Sequence, residues 1–380
     1  MIKGIERLAP LPVDEWKRVT DITIPLIEDP GKTGAPRADI GGAFCFAGSS
    51  KAYRFLETSN TGSFLRSKEL MDAVSPHHGQ GKRRFRVNVG DSSFRVQVGT
   101  HADGSDLQLR VLPEEAPSLA ELQMPAAWRE LMLSEDLLEG GLVLIVAPPG
   151  QGKTTTASAM VRSRLEVFGG HANTVEDPIE LPLQGVWGDG ICIQRPADAM
   201  FEMDRPGEGY YRGMLEALRQ YPAVSGGATT LFVGEIRDPL TAAETLKAAS
   251  NGHLVVATMH AKSIDAAVAR LISLATGGDG MLVSNVREML SENLRAVFYQ
   301  RLMWKLDGES LGWSSANVSG SVLWSEGYES KVAAAIRDAA LSKVRNLAQR
   351  QTDAVLAMES GRPEATVASV TELLKAAVAE

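Results

Sequence analysis

The segment from Leu142 to Ala159 places the strongest constraint on what this chain can fold into. It reads Leu-Val-Leu-Ile-Val-Ala-Pro-Pro-Gly-Gln-Gly-Lys-Thr-Thr-Thr-Ala-Ser-Ala, an apolar run followed by a proline–glycine turn and a stretch of helical composition. A buried strand, a glycine loop, Lys-Thr and a helix in this order are the context of a phosphate-binding loop. The loop N–H groups and the positive end of the helix dipole converge on one point, which favours a polyanion. The segment therefore predicts a site for a nucleoside triphosphate.

The residues of this loop are expected to bind ATP, and they are Pro149, Gly150, Gln151, Gly152, Lys153, Thr154 and Thr155. Lys153 would reach the β- and γ-phosphates, and the Thr154 hydroxyl would ligate Mg²⁺. One position departs from the usual G-x-x-x-x-G-K-[ST] pattern, because Ala147 stands where the first Gly is expected. Alanine tolerates a positive φ poorly. Either the backbone at Ala147 stays in the β region, or the loop is slightly altered.

Composition narrows the remaining classes of protein. A chain of 380 residues is expected to form two or three domains. The formal net charge of −8 argues against a surface that neutralises nucleic-acid phosphates. Cys45 and Cys192 are far apart, which excludes a Cys-x-x-Cys zinc module and indicates a reducing compartment. The N-terminus has no signal-peptide core and no run is long enough to span a bilayer, so we expect a cytoplasmic protein that meets membranes only through partners.

Strict alternation of apolar and polar residues from 83 to 112 predicts an antiparallel meander. Its polar face would carry Arg84, Arg86, Arg95 and Arg110. This face is either a solvated sheet surface or a surface that meets nucleotide phosphates, for which the guanidinium geometry is suited.

The rest of the chain is expected to alternate between strands and helices, after an irregular start over residues 1–35 where prolines interrupt short apolar pieces. The expected strands are 41–46, 52–56, 142–147, 173–180 with its acidic proline turn, 191–194, 229–233, 253–259 and 322–325. The expected helices are 64–74, 155–167, 211–221, 240–251, 264–274 and 283–299, with a loop at 308–320 and helices from 328 onwards. Strands that alternate with helices give an α/β fold with a parallel sheet, in which chemistry gathers at the carboxyl ends of strands.

Acidic and histidine side chains follow three of these strand ends. Hydrolysis of a γ-phosphate needs a carboxylate to orient water and a metal to neutralise charge, and Glu235 is the candidate for polarising water. A Walker B strand normally ends in a metal-binding Asp, but Gly234 fills that position. The metal is therefore expected on Thr154 and Glu176. His253 and His260 lack metal-ligand spacing, and His260 is expected to report the presence of the γ-phosphate.

Several segments in a fixed order resemble the motifs of one family. They are Val-Glu-Asp-Pro-Ile-Glu at 175–180, Val-Gly-Glu-Ile-Arg-Asp at 233–238, Gly-His-Leu-Val-Val-Ala-Thr-Met-His at 252–260 and Arg-Phe-Arg-Val-Asn at 84–88. They are similar to the aspartate box, the atypical Walker B motif, the histidine box and an arginine-bearing strand of secretion and type IV pilus ATPases, closest to the PilT-like and DotB-like branch. Val-Arg-Asn-Leu-Ala at 344–348 is similar to the retraction motif of that branch but differs at Val344 and Ala348.

The resemblance implies a domain plan and a set of site residues. A PAS-like α+β domain (1–114) and a linker (115–124) would precede a RecA-like P-loop ATPase core (125–305) and a mainly helical segment (306–380), and the chain would assemble as a homohexameric ring. Glu235, Glu176, His260 and Arg237 would be catalytic, and Thr154 and Glu176 would hold Mg²⁺. The remaining residues implied at the ATP/ADP site are Asp177, Glu180, His253, Arg84, Arg86 and Arg110.

The resulting hypothesis is a Mg²⁺-dependent ATPase motor of a type IV secretion or type IV pilus system. Its partners would be inner-membrane secretion or pilus platform proteins, with no direct DNA binding. Two alternatives share the fold. One is a nucleotide-gated assembly scaffold with little hydrolysis, which the altered loop at Ala147 suggests. The other is a RecA-like nucleic-acid translocase, against which the acidic net charge counts.

Overall fold

The computed structural model describes residues 7–10, 19–27, 37–39, 42–47, 51–54, 67–79, 83–90, 92–102, 104–197, 207–221, 229–278, 280–306, 313–360 and 369–379. The chain divides into two compact units. Unit 1 comprises residues 1–114, 180–182 and 304–315, and unit 2 comprises residues 115–179, 183–303 and 316–380.

Unit 1 contains one antiparallel sheet and a helix. Its elements are β1 (Val19–Ile27), β2 (Arg37–Ala38), β3 (Phe44–Ala47), β4 (Ala52–Arg54), α1 (Ser67–Gly79), β5 (Arg84–Val89), β6 (Ser92–His101) and β7 (Gly104–Leu112). In the described ranges the strand order is β4-β3-β1-β7-β6-β5, with β2 beside β1. Residues 55–56 and 64–66, expected in a strand and a helix, lie outside the described residues.

The meander predicted for residues 83–112 is confirmed as β5, β6 and β7. Phe85 and Val87 are buried in a cluster with residues of α1, whereas Arg84 on the other face is exposed. Across the ladder, Arg86 pairs with Arg95, and Arg95 pairs with Arg110. The period-two pattern therefore sets both the fold of this sheet and the face that carries the arginines.

The prediction of an irregular start over residues 1–35 is wrong for β1. This strand lies between β3 and β7, and its Ile22 and Ile24 are fully buried. Pro25 interrupts it in sequence, but β3 pairs with β1 only up to Thr23 and β2 pairs from Leu26 onwards. Pro25, which has no N–H to donate, therefore lies between the part of β1 that pairs with β3 and the part that pairs with β2. Proline is tolerated at a position that is unpaired on this side of the strand.

Unit 2 contains a second sheet and its covering helices. The strands of this sheet are β8 (Gly141–Ala147), β9 (Gly170–Glu176), β10 (Gly185–Trp187), β11 (Gly190–Pro196), β12 (Thr229–Val233), β13 (Leu254–His260), β14 (Leu294–Leu306) and β15 (Trp313–Trp324), of which residues 304–306 and 313–315 are assigned to unit 1. Its α-helices are α2 (Ala126–Met132), α3 (Lys153–Phe168), α4 (Glu208–Arg219), α5 (Pro239–Ser250), α6 (Ile264–Gly278), α7 (Val283–Asn293), α8 (Lys331–Arg337), α9 (Leu341–Glu359) and α10 (Val370–Ala379).

The second sheet is largely parallel, as expected. Over the described part of the chain its strand order is β10-β11-β9-β12-β13-β8-β14-β15. Strands β11, β9, β12, β13, β8 and β14 pair in parallel, and β10 pairs antiparallel with β11. The parallel strands bring the ends of β8, β13 and β12 side by side at one edge.

Helices cover both faces of this sheet. Leu142, Leu144 and Val146 of β8 belong to a buried cluster that includes residues of α4 to α9. Because side chains alternate along a strand, Val143 and Ile145 face the other side, and both are fully buried. Two-sided cover explains why β8 is a continuous apolar run. In the described ranges, no helix combines the length and the apolarity that a membrane crossing needs.

The helix predicted over 283–299 is wrong in its second half. The helical stripe ends with α7 at Asn293, and Leu294 begins β14, which pairs in parallel with β8. The run Ala296, Val297 and Phe298 is almost fully buried, as a strand covered on both faces requires. The loop expected at 308–320 is also wrong in part, because β15 begins at Trp313. This strand lies at the edge of the sheet, and its polar sequence gives no clear strand pattern. The C-terminal part therefore contains β15 besides helices α8, α9 and α10.

Candidate nucleotide-binding site

The glycine loop lies between β8 and α3 at the carboxyl edge of the parallel sheet. Gly150 and Gly152 both have a φ of 72°, a conformation that favours glycine. Ala147 is the last residue of β8 and pairs in register with His260, so its backbone is extended and no positive φ is demanded of it. Gly152 caps α3 without a side-chain acceptor, which leaves the first N–H groups of the helix to an external anion.

Lys153, the first residue of α3, is the positive charge of this loop. Its side chain is only 8% exposed. Its Nζ donates to the carbonyl oxygen of Pro148 at 3.3 Å and lies 3.1 Å from Nδ1 of His260. The ammonium is therefore held inside the loop, where phosphate oxygens would replace these acceptors.

His260, at the end of β13, joins Lys153 to Glu235. Its Nε2 lies 3.2 Å from Oε1 of Glu235. A carboxylate accepts and an ammonium only donates, so these two neighbours favour the tautomer that carries its proton on Nε2 and accepts from Lys153 at Nδ1. The Ala147 carbonyl, 3.2 Å from the same Nδ1, favours the other tautomer. The side chains of His260 and Glu235 are 37% and 30% exposed. The resulting chain, Lys153–His260–Glu235, reaches solvent at its acidic end.

The turn that carries Glu235 is tied to β13 by two hydrogen bonds. The N–H of Ile236 donates to the carbonyl of Thr258 at 2.8 Å, and the Thr258 hydroxyl donates to the carbonyl of Gly234 at 2.5 Å. Thr258 lies two residues before His260 on the same strand. The relative position of Glu235 and His260 is therefore fixed by neighbouring strands.

Gly234 stands where a metal-binding Asp is usual, and the structure gives the reason. A Cβ at this position would lie 3.2 Å from the Cα and Cγ of Glu176 and 3.2 Å from the Tyr210 hydroxyl. Three such contacts are tighter than ordinary van der Waals contact, so any larger side chain here requires Glu176 or Tyr210 to shift.

We expect Gly234→Ala to lower the free energy of unfolding by about 1–3 kcal/mol, because the added methyl group overpacks this site. Gly277→Ala is the matched control, since a Cβ there meets only Pro239 at 3.7 and 3.9 Å. In helix α6 that exchange should stabilise by up to about 1 kcal/mol. Denaturant unfolding of both variants measures the difference, and equal midpoints would contradict the packing argument.

Glu176, predicted to share a metal with Thr154, is a buried side chain at the end of β9. It is 2% exposed, and its Oε1 accepts from Thr174 at 2.6 Å and from Gln194 at 2.9 Å. Its strand β9 is separated from β8 by β12 and β13. A metal ion shared by Thr154 and Glu176 stays a prediction.

Mg²⁺ at nucleotide sites takes few protein ligands and completes its shell with phosphates and waters. Thr154 is partly exposed directly after Lys153, so its hydroxyl fits this role. Among the described residues, no three His, Cys, Asp or Glu side chains form a metal-binding cluster.

Arg237 and Asp177 form a second charged group at the same edge. The Arg237 guanidinium donates to Asp177 at 2.6 Å, and the Asp177 N–H donates to the Tyr210 hydroxyl at 3.1 Å. Burial raises the pKa of Tyr210, so the phenol stays protonated. Glu180 instead groups with unit 1 and bonds Arg95.

The arginines predicted to reach ATP lie on the sheet of unit 1. Arg84 is exposed, Arg86 donates to Ser93 at 3.0 Å, and Arg110 pairs with Asp21 at 2.9 Å. Their role at a nucleotide stays a prediction.

His253 lies at the amino end of β13, away from the phosphate loop. Seven residues separate it from His260 along an extended strand, about 23 Å. It stacks on Tyr221 with ring centroids 4.8 Å apart, and its Nδ1 contacts the Thr229 hydroxyl at 2.9 Å. The prediction that His253 contacts ATP is not supported by this position, because seven extended residues exceed the reach of its side chain.

Burial lowers the pKa of His253, which gives a testable dependence on pH. A histidine whose pKa is depressed in the folded state binds its proton more readily when unfolded, so stability falls as the pH drops below the unfolded value of about 6.5. We expect the unfolding midpoint to fall between about pH 7.5 and pH 5.5, and to fall less in His253→Gln. Equal pH dependence in the two proteins would contradict this assignment.

Sequence reasoning gave no role to Gln300, which contacts the loop from β14. Its Nε2 donates to the carbonyl of Gln151. The segment Gln-Arg-Leu at 300–302 also resembles the family, but the resemblance assigns no role to Gln300.

Comparison with known proteins identifies the family. The model of the Type II/IV secretion system protein family matches residues 60–360. This chain belongs to that family. It is 34% identical over 215 residues to the twitching motility protein of Neisseria gonorrhoeae, covering 57% of this chain and 52% of that protein. It is 31% identical over 219 residues to the type IV pilus retractation ATPase PilT of Pseudomonas aeruginosa, covering 58% of each. The chain thus spans little more than half the length of these curated relatives.

Two solved structures share the fold. The pilus retraction motor PilT with bound ADP superimposes with a TM-score of 0.60 at 22% identity, covering 100% of this chain and 98% of that chain. The ATPase DotB of Legionella pneumophila gives a TM-score of 0.61 at 19% identity, covering 90% and 88%. The mixed α/β architecture expected from the sequence is confirmed, and so is the expected family.

Proposed function

We propose that this member of the family is an ATP-hydrolysing motor of a type IV secretion or type IV pilus system. The observation that carries the proposal is the Lys153–His260–Glu235 chain beside a glycine loop. It combines a cation for phosphates, a partly exposed carboxylate for water, and an imidazole that contacts both. These are the parts that phosphoryl transfer to water requires.

In the proposed reaction, Lys153 leaves Pro148 and His260 and binds the β- and γ-phosphate oxygens. His260 keeps its Nε2–H on Glu235 and so fixes the direction of the carboxylate. Glu235 accepts a proton from the water that attacks the γ-phosphorus, and the bond to the ADP oxygen breaks. Thr154 would hold Mg²⁺ together with the phosphates, and the ion would supply positive charge at the nucleotide.

The finer parts of the proposal rest on family resemblance. Unit 1 would be PAS-like, unit 2 RecA-like, and the working particle a homohexamer in the cytoplasm. It would act at the bacterial inner membrane through secretion or pilus platform proteins. Arg84, Arg86 and Arg110 would add positive charge at the nucleotide.

The two alternatives lose support. The scaffold hypothesis was motivated by Ala147, but an extended residue at the end of β8 accommodates alanine without altering the loop. The translocase hypothesis needs a basic surface, and the chain has a net charge of −8.

Steady-state ATP hydrolysis by the wild-type protein, with and without single-stranded DNA, tests the proposal. A motor of this class should hydrolyse ATP at a rate that DNA leaves unchanged. Strong stimulation by DNA would favour the translocase, and ATP binding without turnover would favour the scaffold.

A further inference from the structure

The phosphate loop is fastened to β14 by two hydrogen bonds, in both of which β14 donates and Gln151 accepts. Gln300 of β14 donates from Nε2 to the backbone carbonyl of Gln151. Gln151 in turn accepts, at Oε1, the N–H of Leu302 at 2.8 Å. Each glutamine side chain therefore holds the backbone of the other segment.

The burial of Gln300 is unusual for a residue that serves packing alone. Its side chain is fully buried, and in the described part of the chain its Oε1 has no hydrogen-bond partner. An unsatisfied buried oxygen costs free energy that an apolar side chain of similar volume would avoid. The presence of an amide at this buried position is therefore explained by its Nε2 donor, which bonds the carbonyl of Gln151 in the loop.

The loop also approaches β14 too closely for a side chain. A Cβ on Gly152 would lie 3.3 Å from Nε2 of Gln300 and 3.5 Å from Cδ1 of Leu302, and the φ of Gly152 is 72°. Gly152 thus meets two requirements, a left-handed backbone and contact with Gln300.

We propose that Gln300 is a positioning residue that orients the phosphate-binding N–H groups of the loop. In a planar trans peptide the C=O and N–H point in opposite directions. Tying the Gln151 carbonyl to β14 therefore turns the Gly152 N–H away from β14 and into the loop, where an anion would bind. The Gln151–Leu302 bond keeps the loop from twisting about this anchor. The nature of the anion rests on the proposed function; the anchoring of the loop does not.

Three full-length variants test the anchor: Gln300→Met, Gln151→Met and the matched control Gln351→Met. Gln351 is 1% exposed and bonds the backbone of Trp324 through both ends of its amide, remote in sequence from the loop. Methionine keeps the length and volume in each case. The first measurement is amide exchange over residues 148–154 without nucleotide, and the second is the Kd for ADP.

Both loop variants should exchange faster over residues 148–154, whereas Gln351→Met should exchange there like the wild type. Gln300→Met should weaken ADP binding about tenfold, as expected for one lost hydrogen bond. If Gln300→Met is too unstable to assay, Gln151→Met decides, because Gln151 is partly exposed. Unchanged exchange and affinity in the loop variants would overturn the anchor. Absence of ADP binding in the wild type would overturn the proposed function alone, since the exchange result would still stand.

Discussion

Lys153→Met should weaken ATP binding by about 10–100-fold, the value of one or two charge-assisted hydrogen bonds to phosphate. Methionine retains the aliphatic stem that the loop buries and removes only the ammonium. The structure predicts this loss because Lys153 is 8% exposed and already held inside the loop by Pro148 and His260. Titration of a fluorescent ATP analogue measures it.

Lys247→Met serves as the control for this exchange. Lys247 lies on α5 and pairs with Glu244 of the same helix at 2.7 Å, with 39% of its side chain exposed. Its loss removes one positive charge from unit 2 and should leave affinity unchanged. An equal loss of affinity in the two variants would show that general charge, and not the loop ammonium, governs binding.

Glu235→Gln should slow ATP turnover by about 10²–10⁴-fold while ATP binding persists, which is the usual effect of removing a general base. Glutamine keeps the shape and can still accept the Nε2–H of His260, so the Lys153–His260 contact should remain. A product assay under saturating ATP measures the rate, and equilibrium binding measures the affinity.

Glu208→Gln is the control for a lost carboxylate. Glu208 pairs with Arg212 on α4 at 2.7 Å, so its exchange should cost little turnover. A Glu235→Gln protein that turns over ATP at the wild-type rate would remove Glu235 from the mechanism.

The phosphate loop was predictable because its whole signal is local. β8, the two glycines, Lys153 and Thr154 follow one another within a short segment, and the structure places them as the pattern requires. The meander was equally readable, since period-two alternation depends only on nearest neighbours. The same locality made Glu235 and His260 identifiable as residues at strand ends.

Spatial order of strands was not predictable in this way. β9, which carries Glu176, follows the phosphate helix in sequence, but β12 and β13 lie between β9 and β8 in the sheet. His253 was grouped with His260 because both lie in one motif, although a strand places them at opposite edges.

The place of Gln300 beside the phosphate loop could not be predicted, because its contact with Gln151 joins residues 149 positions apart. It also lies in a segment whose apolar stripe continued the helical period of α7. Val286 and Leu290 fit that period, and the change to a strand at Leu294 follows from the free edge of β8, which only the assembled sheet provides. Local pattern could not place this residue at the loop.

The most direct test of the central claim is ATP turnover per subunit, measured across a series of protein concentrations for the wild type and Glu235→Gln, with ATP binding determined on the same samples. We predict that wild-type turnover rises as the protein assembles and then reaches a plateau, while Glu235→Gln binds ATP and stays near the background rate throughout. A wild type that binds ATP but turns it over no faster than Glu235→Gln would contradict the motor and leave a nucleotide-binding scaffold.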